Sequence, residues 1–208
     1  MEILNSRIER YLVNLLPERN DIFHKMERYA AENDFPIVGP LCGSFLQQMA
    51  RATGAKNVFE MGSGYGYSAL WLAGGMPDDG KIICTDGNLK NKERAQTYFE
   101  SAGVSHKIDF QVGMAQKILE HTSGPFDIIF NDIDKHEYPD IIELVVSKLR
   151  PGGLFITDNA LWGGSVVEAA DDVYSKGVQE FNRIIFERTD LLTTIVPLRD
   201  GLAVCVKL

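Results

Sequence analysis

The sequence predicts an α/β fold: a doubly wound, mostly parallel, seven-stranded sheet with an antiparallel last strand, preceded by helices. Three observations predict it. From Asn57 onward short apolar runs alternate with longer amphipathic stretches, the pattern of βαβ units whose sheet is covered on both faces. Before that point the spacing is helical throughout. At the far end two strand-like runs are separated only by Arg199-Asp200, which is too short for a crossover and demands a hairpin. Residues 1–56 thus read as a helical segment and 57–208 as the α/β core of one domain.

The elements follow in order. Ile3, Ile8, Tyr11, Leu12, Leu15 and Leu16 recur at helical spacing until Pro17, residues 21–33 continue in the same mode, and Pro40 opens a third helix through Arg51. The runs NVFEM, KIICT, KIDFQV, FDIIF and GLFIT read as strands. Between them, residues 67–75, 89–102, 114–121 and 138–149 are each long enough for a helix. LLTTIVPL and GLAVCVKL form the closing hairpin at the sheet edge.

Composition excludes several classes. Of the 208 residues 45% are hydrophobic and 24% charged, enough for an ordinary core, and the net charge of −8 argues against a partner recognised by a basic face, such as nucleic acid or an anionic membrane. Cys42, Cys84 and Cys205 lie far apart without a CxxC pair, as expected of free thiols in a reducing compartment. The start, MEILNSRIER, lacks the apolar core and cleavage site of a leader. No apolar run approaches the ~18 residues of a membrane span. The expectation is a cytoplasmic protein with no membrane contact.

Parallel sheets bind ligands at the carboxyl ends of their strands. The first strand runs into Glu60-Met61-Gly62-Ser63-Gly64-Tyr65-Gly66-Tyr67-Ser68, three alternate glycines that let a ligand approach backbone before a helix starts. The second ends in Asp86, 20 residues after Gly66, where an acid can accept two ribose hydroxyls. Gly64, Gly66 and Ala69 also satisfy the G-x-G-x-x-A form of the dinucleotide pattern, so a nicotinamide oxidoreductase is the alternative from another class. Glu60 weighs against it. A carboxylate there crowds a pyrophosphate but suits a sulfonium cofactor. The third strand leads to the small-residue turn Gly113-Met114-Ala115-Gln116, suited to a flat adenine.

FDIIF runs into Asn131-Asp132-Ile133-Asp134-Lys135, and GLFIT into Asp158-Asn159. On adjacent strands these would bring Asp132, Asp158 and Asn159 together. Two carboxylates and an amide oxygen make a hard-oxygen half-shell that favours Mg²⁺, Mn²⁺ or Ca²⁺ over Zn²⁺. Lys135, three residues beyond Asp132, reaches the same locus. His24, His106, His121 and His136 are scattered and read as surface or boundary residues. Trp162 is either a wall for an aromatic acceptor or a core residue.

The stretches VFEMGSGYGYSALWLA, KIICTD, AGVSHKIDFQVGMA, FDIIFNDIDKHEY, LRPGGLFITDNALWGGSV and PLRDGLAV together resemble the small cation-dependent O-methyltransferases, the group of catechol and caffeoyl-coenzyme A O-methyltransferases and their bacterial relatives. The resemblance covers nearly all of the chain from Phe35 onward, and NDIDK with TDN is its most specific part. It implies a Rossmann-like class I methyltransferase core, S-adenosylmethionine as cofactor and a divalent cation. By position, Asp132, Asp158 and Asn159 match the metal ligands and Lys135 the general base. Val38, Glu60, Gly62, Ser68, Asp86, Ala115, Asp132 and Asp134 match cofactor contacts. Asn131 departs from the pattern, since many relatives carry an apolar residue there. So does Gly87, where a larger residue is frequent.

The resemblance implies a phenolic small molecule as acceptor and a homodimer built partly with the N-terminal helices. Two adjacent ring oxygens chelating one cation would acidify and aim the hydroxyl that attacks the methyl group, so a vicinal dihydroxy-aromatic is expected. Within the family the alternative is a hydroxylated uridine of tRNA, which the acidity of the chain disfavours.

Overall fold

Asparagine caps and prolines set the N-terminal helices. In this computed structural model, which describes residues 3–208, α1 (Ser6–Leu15) starts where the Asn5 side chain accepts a hydrogen bond from the Arg7 N–H at 3.0 Å. That cap leaves Ile3 outside the helix. Met1 and Glu2, the first residues of the expected helical segment, lie outside the described residues. Asn20 caps α2 (Asp21–Glu32) in the same way, and α3 (Gly39–Thr53) has Pro40 in its first turn and ends at Gly54 in the left-handed region. Each terminus follows from a side chain that satisfies, or cannot make, a backbone hydrogen bond.

The alternation then unfolds as expected: β1 (Asn57–Met61), α4 (Tyr67–Gly75), β2 (Lys81–Asp86), α5 (Leu89–Ser101), β3 (Ile108–Val112), α6 (Ala115–His121), β4 (Phe126–Asn131), α7 (Tyr138–Lys148) and β5 (Leu149–Thr157). A long helix that the sequence alternation does not single out, α8 (Val173–Glu187), precedes β6 (Leu191–Val196) and β7 (Leu202–Lys207). Its signals are nonetheless ordinary ones. The Asp172 side chain accepts from the N–H groups of Tyr174 and Ser175, and Val178, Phe181 and Ile185 recur at helical spacing and are buried.

The sheet has the order β3-β2-β1-β4-β5-β7-β6. All pairs are parallel except those made by β7, which is antiparallel to both β5 and β6. The closing hairpin therefore inserts its second strand inside the sheet and leaves β6 at the edge. Side chains on β4 alternate between two cores. Ile128 and Phe130 pack with Met26, Leu46, Leu72 and Phe99 under α2 to α5. Ile129 faces Phe59, Ile142, Phe155 and Phe181 under α6 to α8. Burial of both faces, roughly 1.5–3 kcal/mol for each large apolar side chain, fixes the register. A slip of one residue would exchange the two cores.

Candidate active site

Strand order reverses between β1 and β4, and a crevice opens at such a switch point beyond the carboxyl ends of the strands. Backbone pairing continues past those ends. Asp132 N–H donates to Met61 O at 2.8 Å and Asp158 N–H to Asn131 O at 3.0 Å, so Gly62, Asp132 and Asp158 stand side by side. Gly62 has φ +81°, and a Cβ there would sit 2.4 Å from Asp132 O. Only glycine lets the glycine-rich turn and the Asp132 loop touch. The resulting cleft of about 750 Å³ is lined by Gly62, Gly64, Asp86, Ala115, Asp132, Asp134, Lys135, Asp158, Asn159 and Trp162, among others.

The residues expected around the cofactor divide into two groups. Gly62, Asp86, Ala115, Asp132 and Asp134 line the cleft. Val38, Glu60 and Ser68 are buried behind it, Val38 at the N-cap of α3 and Ser68 on α4. Asp86 Oδ1 accepts from Asn88 N–H at 2.8 Å and Asn91 Nδ2 at 2.9 Å, which orients the carboxylate at the mouth of β2. Glu60 accepts from the Ser63 hydroxyl, yet its Oε1 has no partner among the described residues. Burial outweighs the hydrogen bond of Ser63 and pushes the Glu60 carboxyl up to about 7. A buried carboxylate oxygen with no donor fits a cationic amino or sulfonium group and would repel a phosphate.

At the other end Lys135 Nζ donates to Asp132 Oδ1 at 2.9 Å and to Ile133 O at 3.3 Å. It lies 5.6 Å from the ring centroid of Trp162 and 5.7 Å from that of Tyr138. Trp162, with φ +42°, is therefore a wall of the cleft. His136 is exposed and lies edge-on to Tyr174, with ring centroids 5.7 Å apart. Asp158 is buried, its Oδ1 has no partner among the described residues, and burial followed by the Asp132 charge pushes its carboxyl up to about 7. Burial likewise raises Asp132, against the opposing pull of Lys135. Among the described residues no three His, Cys, Asp or Glu side chains are arranged to hold a metal. The candidate set counts two carboxylates and one amide, a donor set suited to a hard cation.

Asp200 and Arg199 are the site residues that motif reading missed. The Asp200 carboxylate accepts from Asn159 Nδ2 at 3.0 Å and from Gly163 N–H at 2.6 Å. Asn159, at φ +57°, thus spends its donor on Asp200 and keeps its carbonyl oxygen for another partner. Ala160 N–H donates to Gly201 O and Leu161 N–H to Asp200 O, both at 2.9 Å, so the β6–β7 turn is stapled to the Asp158 loop. A signal existed. The first strand of a terminal hairpin whose second strand is reversed runs parallel to the rest, so its carboxyl end and the turn after it belong to the ligand edge. On the opposite side α8 props the lysine loop, where a Cβ at Gly177 would meet Lys135 O at 2.4 Å. Asn131 and Thr157, neighbours in register, are buried with side-chain polar atoms that lack partners among the described residues, and nothing in the structure explains why Asn131 replaces an apolar residue.

The switch-point cleft, the glycine turn and the acids at successive strand ends define a nucleoside-cofactor enzyme of Rossmann-like architecture. Residues 18–208 match the family model described as O-methyltransferase, and the chain belongs to that family. It is 31% identical to the catechol O-methyltransferase of Niastella koreensis over 211 residues, covering 96% of each chain. It is 36% identical to the caffeoyl-CoA O-methyltransferase of Petroselinum crispum over 176 residues, covering 78% of this chain and 73% of that one. The crystal structure of an O-methyltransferase from Bacillus cereus in complex with SAH superposes with a TM-score of 0.86 at 26% identity, covering 98% of both chains. The chain is an S-adenosylmethionine-dependent O-methyltransferase. The nicotinamide alternative falls.

Proposed function

We propose that the chain methylates a hydroxyl of a vicinal dihydroxy-aromatic small molecule with the help of a divalent cation, Mg²⁺ first and Mn²⁺ or Ca²⁺ as substitutes. The observation that carries this reading is the meeting of Asp132, Asp158 and Asn159 at neighbouring strand ends, with Lys135 Nζ 2.9 Å from Asp132. Catechol and caffeoyl-CoA O-methyltransferases among the relatives support the acceptor class.

In this reading Asp132, Asp158 and the Asn159 carbonyl hold the cation. When bound, the cation supplies the positive charge that acidifies and aims a chelated hydroxyl. Lys135 accepts the hydroxyl proton at Nζ, and Asp132 and the two aromatic rings fix its position. Asp86 receives the ribose hydroxyls of the cofactor, and Ala115 and Asp134 border its adenosine side. Gly62 lets backbone approach it, Glu60 and Ser68 face its amino-acid end, and backbone at Val38 takes its carboxylate. Trp162 walls the acceptor ring and keeps water out.

Residues 1–56 act as a helical segment on the 57–208 core, and two copies associate partly through it. Ile8, Tyr11 and Leu15 are exposed along α1, a helix that buries none of its residues within the chain. We place the enzyme in the cytoplasm, in keeping with three free, buried cysteines. Among the described residues no helix is long and apolar enough to cross a membrane.

The test is turnover of a catechol with S-adenosylmethionine, run with Mg²⁺ and with a chelator. Methylation that stops with the chelator and returns with Mg²⁺ supports the reading, whereas chelator-insensitive methylation removes the cation from it. Light scattering across a concentration series decides between one copy and two.

A further inference from the structure

Two cations line the cleft, and they are held differently. Lys135 is paired with Asp132. Arg199 has no hydrogen-bond or ion-pair partner among the described residues, although it shares the cleft with Asp132, Asp134, Asp158 and Glu137. It lines the same cleft as Asp132, Asp158 and Trp162, the residues assigned to the methyl-acceptor end. Its backbone is in the left-handed region, at φ +53°. In that place a tight turn alone would select glycine, asparagine or aspartate. A bulky residue kept there points to a use for its side chain. The turn is also rigid. Gly201 N–H donates to Leu198 O at 2.9 Å, and Asp200 and Gly201 bind the Asn159–Gly163 loop as described above.

We propose that Arg199 selects the acceptor, its guanidinium receiving a carboxylate carried on the dihydroxy-aromatic ring. This rests on the acceptor reading given above and narrows it to anionic phenols. An unpaired guanidinium at a cleft wall offers a planar two-pronged donor that matches a carboxylate. Apart from Lys135, which Asp132 holds, the other charged side chains lining the cleft among the described residues are acidic, so Arg199 is the protein group there that suits a carboxylate on the acceptor. Trp162 and Arg199 line the same cleft, one suited to the ring and the other to its charged substituent.

A second carboxylate could claim the same group. The Arg199 Cδ and Nε atoms lie 3.9 Å from where a Gly39 side chain would begin, close to Val38, which we assign to the carboxylate of the cofactor. The experiment separates the two sources. With S-adenosylhomocysteine and Mg²⁺ present, 3,4-dihydroxybenzoate and its neutral methyl ester are titrated calorimetrically into the wild type, Arg199→Gln and Arg199→Lys. Turnover of both acceptors is measured in parallel. The wild type is expected to bind the acid at least ~10-fold more tightly than the ester, as one charge-assisted pair supplies. Arg199→Gln should erase that ratio through KM, and Arg199→Lys should restore part of it. Equal binding of acid and ester by the wild type overturns the proposal. So does an acid-to-ester ratio that survives in Arg199→Gln, and if S-adenosylhomocysteine affinity drops in that variant instead, Arg199 belongs to the cofactor. If neither acceptor binds or turns over while S-adenosylhomocysteine still binds, the dihydroxy-aromatic reading has failed, and this proposal with it. Thermal melts of both variants confirm that the exposed turn tolerates the changes.

Discussion

Lys135 Nζ donates to Asp132 and lies 5.6 Å and 5.7 Å from the ring centroids of Trp162 and Tyr138, contacts that hold the amine in place for the proton-accepting role proposed for it. Lys135→Ala should lower turnover by about 10²- to 10⁴-fold, the usual contribution of a positioned base, while S-adenosylmethionine affinity measured by calorimetry stays within about twofold. Unchanged turnover would remove the lysine from the mechanism. Glu60 supplies a pH dependence. Its carboxyl is raised from 4.5 to about 7 by burial, so the fold disfavours the charged form. The free protein should therefore lose stability as pH rises from 4.5 to about 7, and no more above that. A cationic cofactor favours the ionised carboxylate, so its affinity should climb with pH up to about 7 and then level off. Glu60→Gln should bind more weakly and without that slope. A sloping profile in Glu60→Gln would assign the titration to another group.

Among the elements, the β6–β7 turn matters out of proportion to its length. It holds Asn159 through Asp200 at 3.0 Å and the following loop through three further contacts. Groups that orient a metal ligand typically change affinity by 10- to 100-fold when removed. Asp200→Ala should lower Mn²⁺ affinity by that factor in a calorimetric titration, with S-adenosylmethionine binding nearly intact. Wild-type Mn²⁺ affinity in that variant would show that Asn159 needs no brace or holds no metal. The helix α8 has a comparable role on the other side. Because Gly177 packs directly on Lys135 O, the helix sets the depth of the lysine loop, and its late place in the sequence hides that contact from any reading of local pattern.

For the whole molecule, ligand binding at the switch point ties both halves of the sheet together. The cofactor cleft touches the ends of β1, β2 and β4 and the loop after β5, so a bound ligand stabilises elements of both cores at once. At ~100 times its Kd, S-adenosylmethionine should add about 2.7 kcal/mol. At roughly 2–4 °C per kcal/mol for a chain of this size, Tm should rise by about 5–10 °C. NAD⁺ at the same concentration should leave Tm unchanged. A shift with NAD⁺ and none with S-adenosylmethionine would contradict the cofactor assignment.

Local pattern determined most of the fold. The strand NVFEM and the helix over 67–75 stand where the strand–helix alternation puts them, because a short apolar run followed by a stretch long enough for a helix leaves few other assignments open. The pairing of NDIDK with TDN was also legible, since consecutive parallel strands tend to be neighbours and their carboxyl ends share one edge. Tertiary structure alone decided three things. It joined the β6–β7 turn to the Asp158 loop through the bonds of Asp200 to Asn159 and Gly163. It put Trp162 where the second core meets the cleft, packed on the one and lining the other, through a backbone turn at φ +42°. It hid Val38, Glu60 and Ser68 behind the cleft surface. In each case the reason is the same: these positions depend on contacts between residues far apart in the chain, and periodicity records only which face of its own element a residue occupies.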